Sequence, residues 1–391
     1  MSTEVTTSSE NTTSTELDEL RSAVRDFMSA KADERAVRAA IDSERGYDDK
    51  VWAQMAEQLG LQSLALPTEH GGDGYGLVEL TVVLEEMGRA LLPSPFLSSV
   101  VLAGTALVAA GGDEAARILP GIAAGTTTAT LAPPSVDGGW SLGGRGAGDA
   151  LAVTASAGTA SADSGAVTLD GTAPLVLDGA GADVLLVVAG GPAGPGLYAV
   201  DADAAGLTRT PLPVLDLTRR IAKVTFAATP ARLVGAAGGA AAVLDRVLDV
   251  ATTALAAEQV GAARACLEAS TTYAKDRVQF GRQIGSFQAV KHKAADMLTR
   301  VQVADAAARE AARAVDGLAD APDAGVAAAV AHAVCSEAFL AVATENIQVH
   351  GGIGFTWEHA AHLYYRRAKA SQLLFGGPAV YYERLLAKAG V

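Results

Sequence analysis

The sequence predicts an α+β protein in which helices precede and follow a β domain, and three observations carry that prediction. Apolar residues recur at helical spacing through the first third of the chain. Short β-type runs separated by Gly, Asp and Pro fill the middle, and long Ala-rich stripes of helical period return in the last third. The expected organisation is a disordered tail over residues 1–14 and an N-terminal helical domain over 15–125. A middle β-barrel or sandwich domain over 126–235 and a C-terminal four-helix bundle over 236–391 follow.

Met1–Ser14 is rich in Ser, Thr and Glu and lacks the basic start and apolar run of a signal peptide, so it reads as a tail. From Thr15, a capping signal with Asp18 opens a helix whose Leu17, Leu20, Val24 and Phe27 share one face. Helical patterns continue over Val51–Leu59, Leu77–Leu91 and Pro95–Ala110. The Pro and glycines of Leu66-Pro-Thr-Glu-His-Gly-Gly-Asp-Gly74 force a loop between them. Val167–Leu169, Val184–Val188, Leu197–Val200 and Ile221–Phe226 read as strands. Leu244, Val247, Leu248, Ala251 and Leu255 form one apolar helix stripe. Val290, Ala294, Met297, Val301, Ala304 and Ala308 form a second, and Val326–Val349 carries a third. Stripes of this length need helix-on-helix packing, hence the bundle.

Composition narrows the function. Half of the 391 residues are hydrophobic, enough for a large core, and the net charge is −14. That acidity argues against a nucleic-acid or anionic-membrane partner, both of which need basic patches. The charges that break every long apolar run argue against a membrane span. Two cysteines, Cys266 and Cys335, lie in Ala-rich helical stretches and read as buried apolar fillers in a cytoplasmic protein, with no metal spacing.

Two clusters interrupt the long helices of the last third. Asp276-Arg-Val-Gln-Phe-Gly-Arg-Gln-Ile-Gly-Ser-Phe-Gln288 and Gln348-Val-His-Gly-Gly-Ile-Gly-Phe-Thr-Trp-Glu-His359 concentrate Arg, Gln, Gly and aromatic residues where a connection needs only a few polar ones. A guanidinium fork matches paired phosphate oxygens, and glycines admit a ligand close to the backbone or simply cap a helix. Together they point to a surface for something flat, polar and anionic. Gly144-x-Gly146-x-Gly148 follows no strand and opens no helix, so it is not a dinucleotide loop. Glu358-His359-x-x-His362 lacks a third metal ligand and reads as a solvated helix start.

Arg277-x-x-Phe280-Gly281, Gln288 and Gln348-x-x-Gly351-Gly352-x-Gly354 resemble the C-terminal signature of the acyl-CoA dehydrogenase family. The 66–74 loop followed by Glu85-Glu86-Met87-Gly88 resembles its N-terminal domain, and the helix–β–helix order matches. The resemblance implies α,β-desaturation of an acyl-CoA thioester with FAD held across a subunit interface. It also implies an electron-transfer flavoprotein or other acceptor, and acyl-CoA entry between the β domain and the bundle. On that basis Arg277, Gln279, Phe280, Gln288, Gln348, Val349, Gly351 and Gly352 would hold the cofactor, partly that of a neighbouring subunit.

The same resemblance exposes a gap. Desaturation needs a carboxylate base in a dry pocket. The family's usual place for it falls here on Gly376 of Leu374-Phe375-Gly376-Gly377, and the rarer place falls on Ala251. In the middle domain, Ala132 of Leu131-Ala-Pro-Pro-Ser-Val-Asp-Gly138 stands where a hydroxyl would meet the flavin ring. The catalytic residue is therefore unknown. Glu258 lies on the 244/248/251/255 stripe, about 10 Å beyond Ala251. It is either ion-paired to a neighbouring helix or a displaced base. Three readings follow: a base-less subunit of a homo- or hetero-oligomer completed by a sister dehydrogenase chain, a stand-alone flavoenzyme with Glu258 or another acid as displaced base or with a non-oxidative reaction, or a flavin-free structural or regulatory scaffold.

Overall fold

The computed structural model describes residues 14–140, 151–157, 167–318 and 323–388. The tail before Ser14 and the Gly144–Gly148 run lie outside them. Six helices come first: α1 (Ser14–Lys31), α2 (Glu34–Asp42), α3 (Asp49–Leu59), α4 (Leu77–Ala90), α5 (Thr105–Ala110) and α6 (Gly112–Ala123). Local chemistry sets their ends. Asp48 caps α3 by accepting from the Lys50 and Val51 amides, and Gly60 closes it in the left-handed region. Trp52 anchors this layer, its indole donating to the Gly125 carbonyl at 2.9 Å and its ring edge-on to Tyr47 and Phe96. Pro95–Ala110 is expected as one helix, yet Leu97–Gly104 winds as a π-helix before α5 begins. Within it, the Ser98 hydroxyl donates to Asp178 at 2.6 Å, and the Ser99 hydroxyl exchanges hydrogen bonds with the Ala129 backbone. Both serines tie this stretch to the strands.

Among the described residues, the middle of the chain is a barrel built from seven strands: β1 (Ala129–Ala132), β2 (Val153–Ala157), β3 (Val167–Leu177), β4 (Val184–Gly191), β5 (Gly194–Asp201), β6 (Leu207–Pro211) and β7 (Ile221–Val234). The order runs β1-β4-β2-β3-β7-β5, β5 pairs back to β4, and β6 adds to β7. The ring β4-β2-β3-β7-β5 thus closes on itself, while β1 and β6 each pair with one neighbour.

The last third is the bundle: α7 (Ala240–Asp276), α8 (Gln288–Val315), α9 (Ala324–His350) and α10 (Ala361–Leu373), with α11 (Pro378–Lys388) packed on α9. A short hairpin, β8 (Val278–Gln279) and β9 (Arg282–Gln283), joins α7 to α8. α9 is long and apolar enough to cross a membrane, but 67% of that stretch is buried, as the central helix of a bundle must be. α7 and α9 run parallel: Ser270 bonds Asn346 at 2.8 Å, and Tyr273 packs on His350. α7 also joins the bundle to the N-terminal helices through α4. Their backbones touch at Gly88 and Gly261, where a Cβ would sit 2.0 and 1.8 Å from the Glu258 and Glu85 carbonyl oxygens. Around that contact the buried Glu85 and Glu86 are partnered by Arg21 and Arg25 of α1 and by Arg264 of α7.

Candidate functional site

The two interrupting clusters meet at one end of the bundle, because α7 and α9 end there and α8 begins there. Arg277 follows α7, Gln279 and Phe280 form the hairpin, and Gln288 is the first residue of α8. Gln348 and Val349 lie in the last turn of α9, with Gly351 and Gly352 just beyond. Lys293 and Glu345, 2.5 Å apart, tie the start of α8 to the end of α9. Phe280 takes a left-handed φ of 52°, which turns its ring outward. It is 92% exposed, Phe355 is 86% and Trp357 is 66%. Gly281, Gly351 and Gly352 all face open space, where a Cβ would meet nothing within 4 Å. Arg282 lies over the Phe287 ring, and Arg366 over Trp357. The end of the bundle is thus a shelf of open backbone, fixed cations and bare aromatic faces. His359 and His362 beside it meet backbone, with the Ala361 amide donating to His359 and His362 against the Trp357 carbonyl.

Glu258 lies at the opposite extreme of burial. Its carboxylate accepts from Arg219, on the β6–β7 connection, at 2.8 and 2.9 Å and from Arg367 of α10 at 2.9 Å. Arg367 also bonds the Thr218 hydroxyl at 2.5 Å and Asp216 at 3.4 Å, and Arg219 bonds Ser371 at 2.7 Å. Burial alone would raise the Glu258 pKa. The two guanidinium charges outweigh it and hold the carboxyl below its ordinary value. A proton acceptor tuned this way is too weak a base for the task, so Glu258 is a bolt between barrel and bundle. Sequence reasoning missed Asp178, whose pKa burial pushes up to about 6 against the Ser98 hydrogen bond. It borders a small pocket with Glu258 and Arg367, while Leu177 and Arg219 line both that pocket and the large cleft and so stand between them.

That cleft, about 1280 Å³, opens between the barrel and the C-terminal helices and is lined by both. Leu175, Leu177, Leu244, Leu248, Leu373 and Phe375 give it an apolar body. Gly376 lines it, and Ala132 and Ala251 are buried without a polar atom to offer. Among the described residues, the side chains lining it leave no buried polar atom without a partner.

Comparison with known proteins adds the lineage. Residues 14–126 match the acyl-CoA dehydrogenase N-terminal domain, and residues 237–389 match its C-terminal domain. The chain belongs to the acyl-CoA dehydrogenase family. It is 36% identical over 369 residues to acyl-CoA dehydrogenase IpdE2 of Mycolicibacterium smegmatis, covering 94% of this chain and 97% of that one. Among solved structures it resembles a variant of the Tcur3481–Tcur3483 steroid ACAD, at 35% identity and TM-score 0.83 over 96% and 99% of the two chains. It also resembles the ChsE4–ChsE5 complex from Mycobacterium tuberculosis, at 29% identity and TM-score 0.83 over 97% and 98%.

Acyl-CoA dehydrogenases are oxidoreductases of CH–CH bonds, and FAD is their cofactor. The residues of this chain suit that cofactor at one end. The shelf offers guanidinium and amide donors around open glycine backbone, the requirements of an extended, anionic dinucleotide.

Proposed function

We propose that this chain is the base-less subunit of an FAD-dependent acyl-CoA dehydrogenase, working in the cytoplasm with a sister chain that carries the catalytic carboxylate. One contrast carries the reading: an exposed shelf of arginine, glutamine, glycine and aromatic residues at the end of the bundle, and a separate cleft with glycine where the base belongs. Exposed aromatic side chains mark association sites, and Phe280, Phe355 and Trp357 all stand exposed on the two clusters. The sister subunit covers it. Arg277, Gln279, Phe280, Gln288, Gln348, Val349, Gly351 and Gly352 hold the adenine and pyrophosphate end of the shared FAD.

Bound FAD supplies the acceptor for the hydride that leaves the β-carbon. This chain's part is to hold and to exclude. Arg277 pairs the phosphate charge, the glycines bring backbone amides to it, and the aromatics keep water from the interface. No side chain at position 376 or 251 takes the α-proton, so that step falls to the sister chain. The similar Tcur3481–Tcur3483 protein is a steroid ACAD, which makes a steroid thioester the substrate class to try first.

The test is reconstitution. Purified alone, the chain should desaturate no acyl-CoA. Co-purified with its sister subunit it should be yellow and active, and Arg277→Ala in that complex should release flavin. Robust turnover by the chain alone would overturn the reading.

A further inference from the structure

The loop that carries Gly376 is held by a side chain of α9. His332 Nε2 donates to the Gly376 carbonyl at 2.9 Å. Burial pushes the His332 pKa down to about 4 against that hydrogen bond, so the ring is neutral. With its one proton on Nε2, the ring has a bare lone pair on Nδ1. Among the described residues, seven buried side-chain polar atoms lack a hydrogen-bond partner. Four of them belong to three residues of the bundle: His332 Nδ1, the Ser336 hydroxyl and both amide atoms of Gln259. All three side chains are at most 1% exposed. The remaining three atoms fall singly on Gln62, Arg89 and His362. Ser336 follows His332 by one turn of α9, so the two share a helix face with Cβ atoms about 6 Å apart. The Ser270–Asn346 bond sets the parallel register of α7 and α9. Eleven residues earlier on both helices, close to three full turns, the same register sets Gln259 level with Cys335 and Ser336. One turn beyond that level, Ala262, Phe339 and Ala368 share a core cluster, which brings α10 to the same place.

We propose that Gln259, Ser336 and His332 form a buried water site inside the bundle, holding on the order of two ordered molecules. An amide, a hydroxyl and an imidazole nitrogen left unpaired in an apolar interior each cost free energy, and native interiors meet such groups with ordered water. Water suits this inventory. It donates to His332 Nδ1 and the Gln259 carbonyl oxygen, and it accepts from the Gln259 amide and the Ser336 hydroxyl. One molecule spans Ser336 and His332, because two hydrogen bonds of about 2.8 Å cover the distance between neighbours on a helix face. An ion is the poorer occupant. The adjacent Glu258 already faces two guanidinium groups, and the three side chains of the site carry no charge. The water also has a positioning role. By donating to Nδ1 it fixes the tautomer in which Nε2 holds the Gly376 carbonyl. The site stands independently of which chain supplies the catalytic base.

A crystal structure of the full chain, at a resolution that shows ordered solvent, tests the site without any substitution. Water is expected within hydrogen-bond reach of Gln259, Ser336 and His332 Nδ1. Direct bonds among the three side chains, or a dry interior, would overturn the proposal. Thermal melts supply an independent sign. Gln259→Leu and Ser336→Ala remove partners of the bound water, and each should lower the melting midpoint by about 2–4 °C. If the groups were dry and unpaired, the same changes would lift a penalty, so a raised or unchanged midpoint counts against the site. Nitrogen NMR of isotope-labelled histidine reads the tautomer, with His332 assigned through His332→Gln. Nε2 should carry the proton and Nδ1 should resonate as a hydrogen-bonded acceptor. In Ser336→Ala the Nδ1 signal should move towards that of a free lone pair, and a signal indifferent to that change would sink the bridging water.

Discussion

The middle of α7 and the region just past its C-terminal end treat charge in opposite ways. Around Glu258, buried charges from the barrel connection, α7 and α10 are matched, guanidinium to carboxylate, with Thr218 and Ser371 completing the donors. Beyond Arg277, about 28 Å further along the same helix, cations and aromatic rings stand in the open. The interior cluster serves the chain's own fold, because removing a partner there strands a buried charge. The outer shelf serves something the chain does not contain, because its residues have little to lose within the monomer.

Changes at each place separate the two roles. Glu258→Gln leaves Arg219 and Arg367 with Asp216 as their one remaining carboxylate. It should cost about 3–5 kcal/mol in urea unfolding. A loss under about 1 kcal/mol would break the comparison.

Acid sharpens it next. The unfolded chain protonates His332 near 6.5, but the folded chain resists until about 4. Stability therefore falls as pH drops through that window, by about 3 kcal/mol from this group. Asp178 opposes it. Its pKa is raised from 3.8 to about 6, so the folded chain binds that proton more tightly and gains as pH falls. His332→Gln should thus gain about 3 kcal/mol relative to wild type between pH 7 and pH 4. A pH-independent difference would contradict the buried, neutral imidazole. Gly376→Ala meets no clash but must hold φ 109°, and should cost about 1–3 kcal/mol of stability by thermal melting.

Smallest on stability are Arg277→Ala and Phe280→Ala, each expected within about 0.5 kcal/mol of wild type. Both should nonetheless weaken assembly with the sister subunit at least tenfold, as read by sedimentation. A monomer destabilised by either would place the shelf inside this chain's own fold.

The helix–β–helix order was legible because periods of 3.6 and 2 leave separate marks on the sequence, and the stripe of α7 is buried as its spacing demands. Fold class and family follow from residues that speak locally. Glu258 shows where local reading stops. Its position on an apolar stripe announced a costly charge, but its partners are 39 and 109 residues away, so only the fold could separate bolt from base. Asp178 and His332 gave no signal at all, since a carboxylate at a strand end and a histidine in an Ala-rich helix look ordinary until burial is known. The π-helix over Leu97–Gly104 was hidden for a related reason. Its serines reach Asp178 and Ala129, contacts that no periodicity encodes.

One arrangement has an optical consequence. The chain has three tryptophans, and they fall one to each part: Trp52 among the first helices, Trp140 in the barrel and Trp357 beside the shelf. Trp52 and Trp140 are buried and should emit towards the blue, while Trp357 faces water and should emit towards the red. Docking of a second chain on the shelf would shift the red component alone. The molecule thus carries its own spectroscopic report of which part has been covered, with no label added.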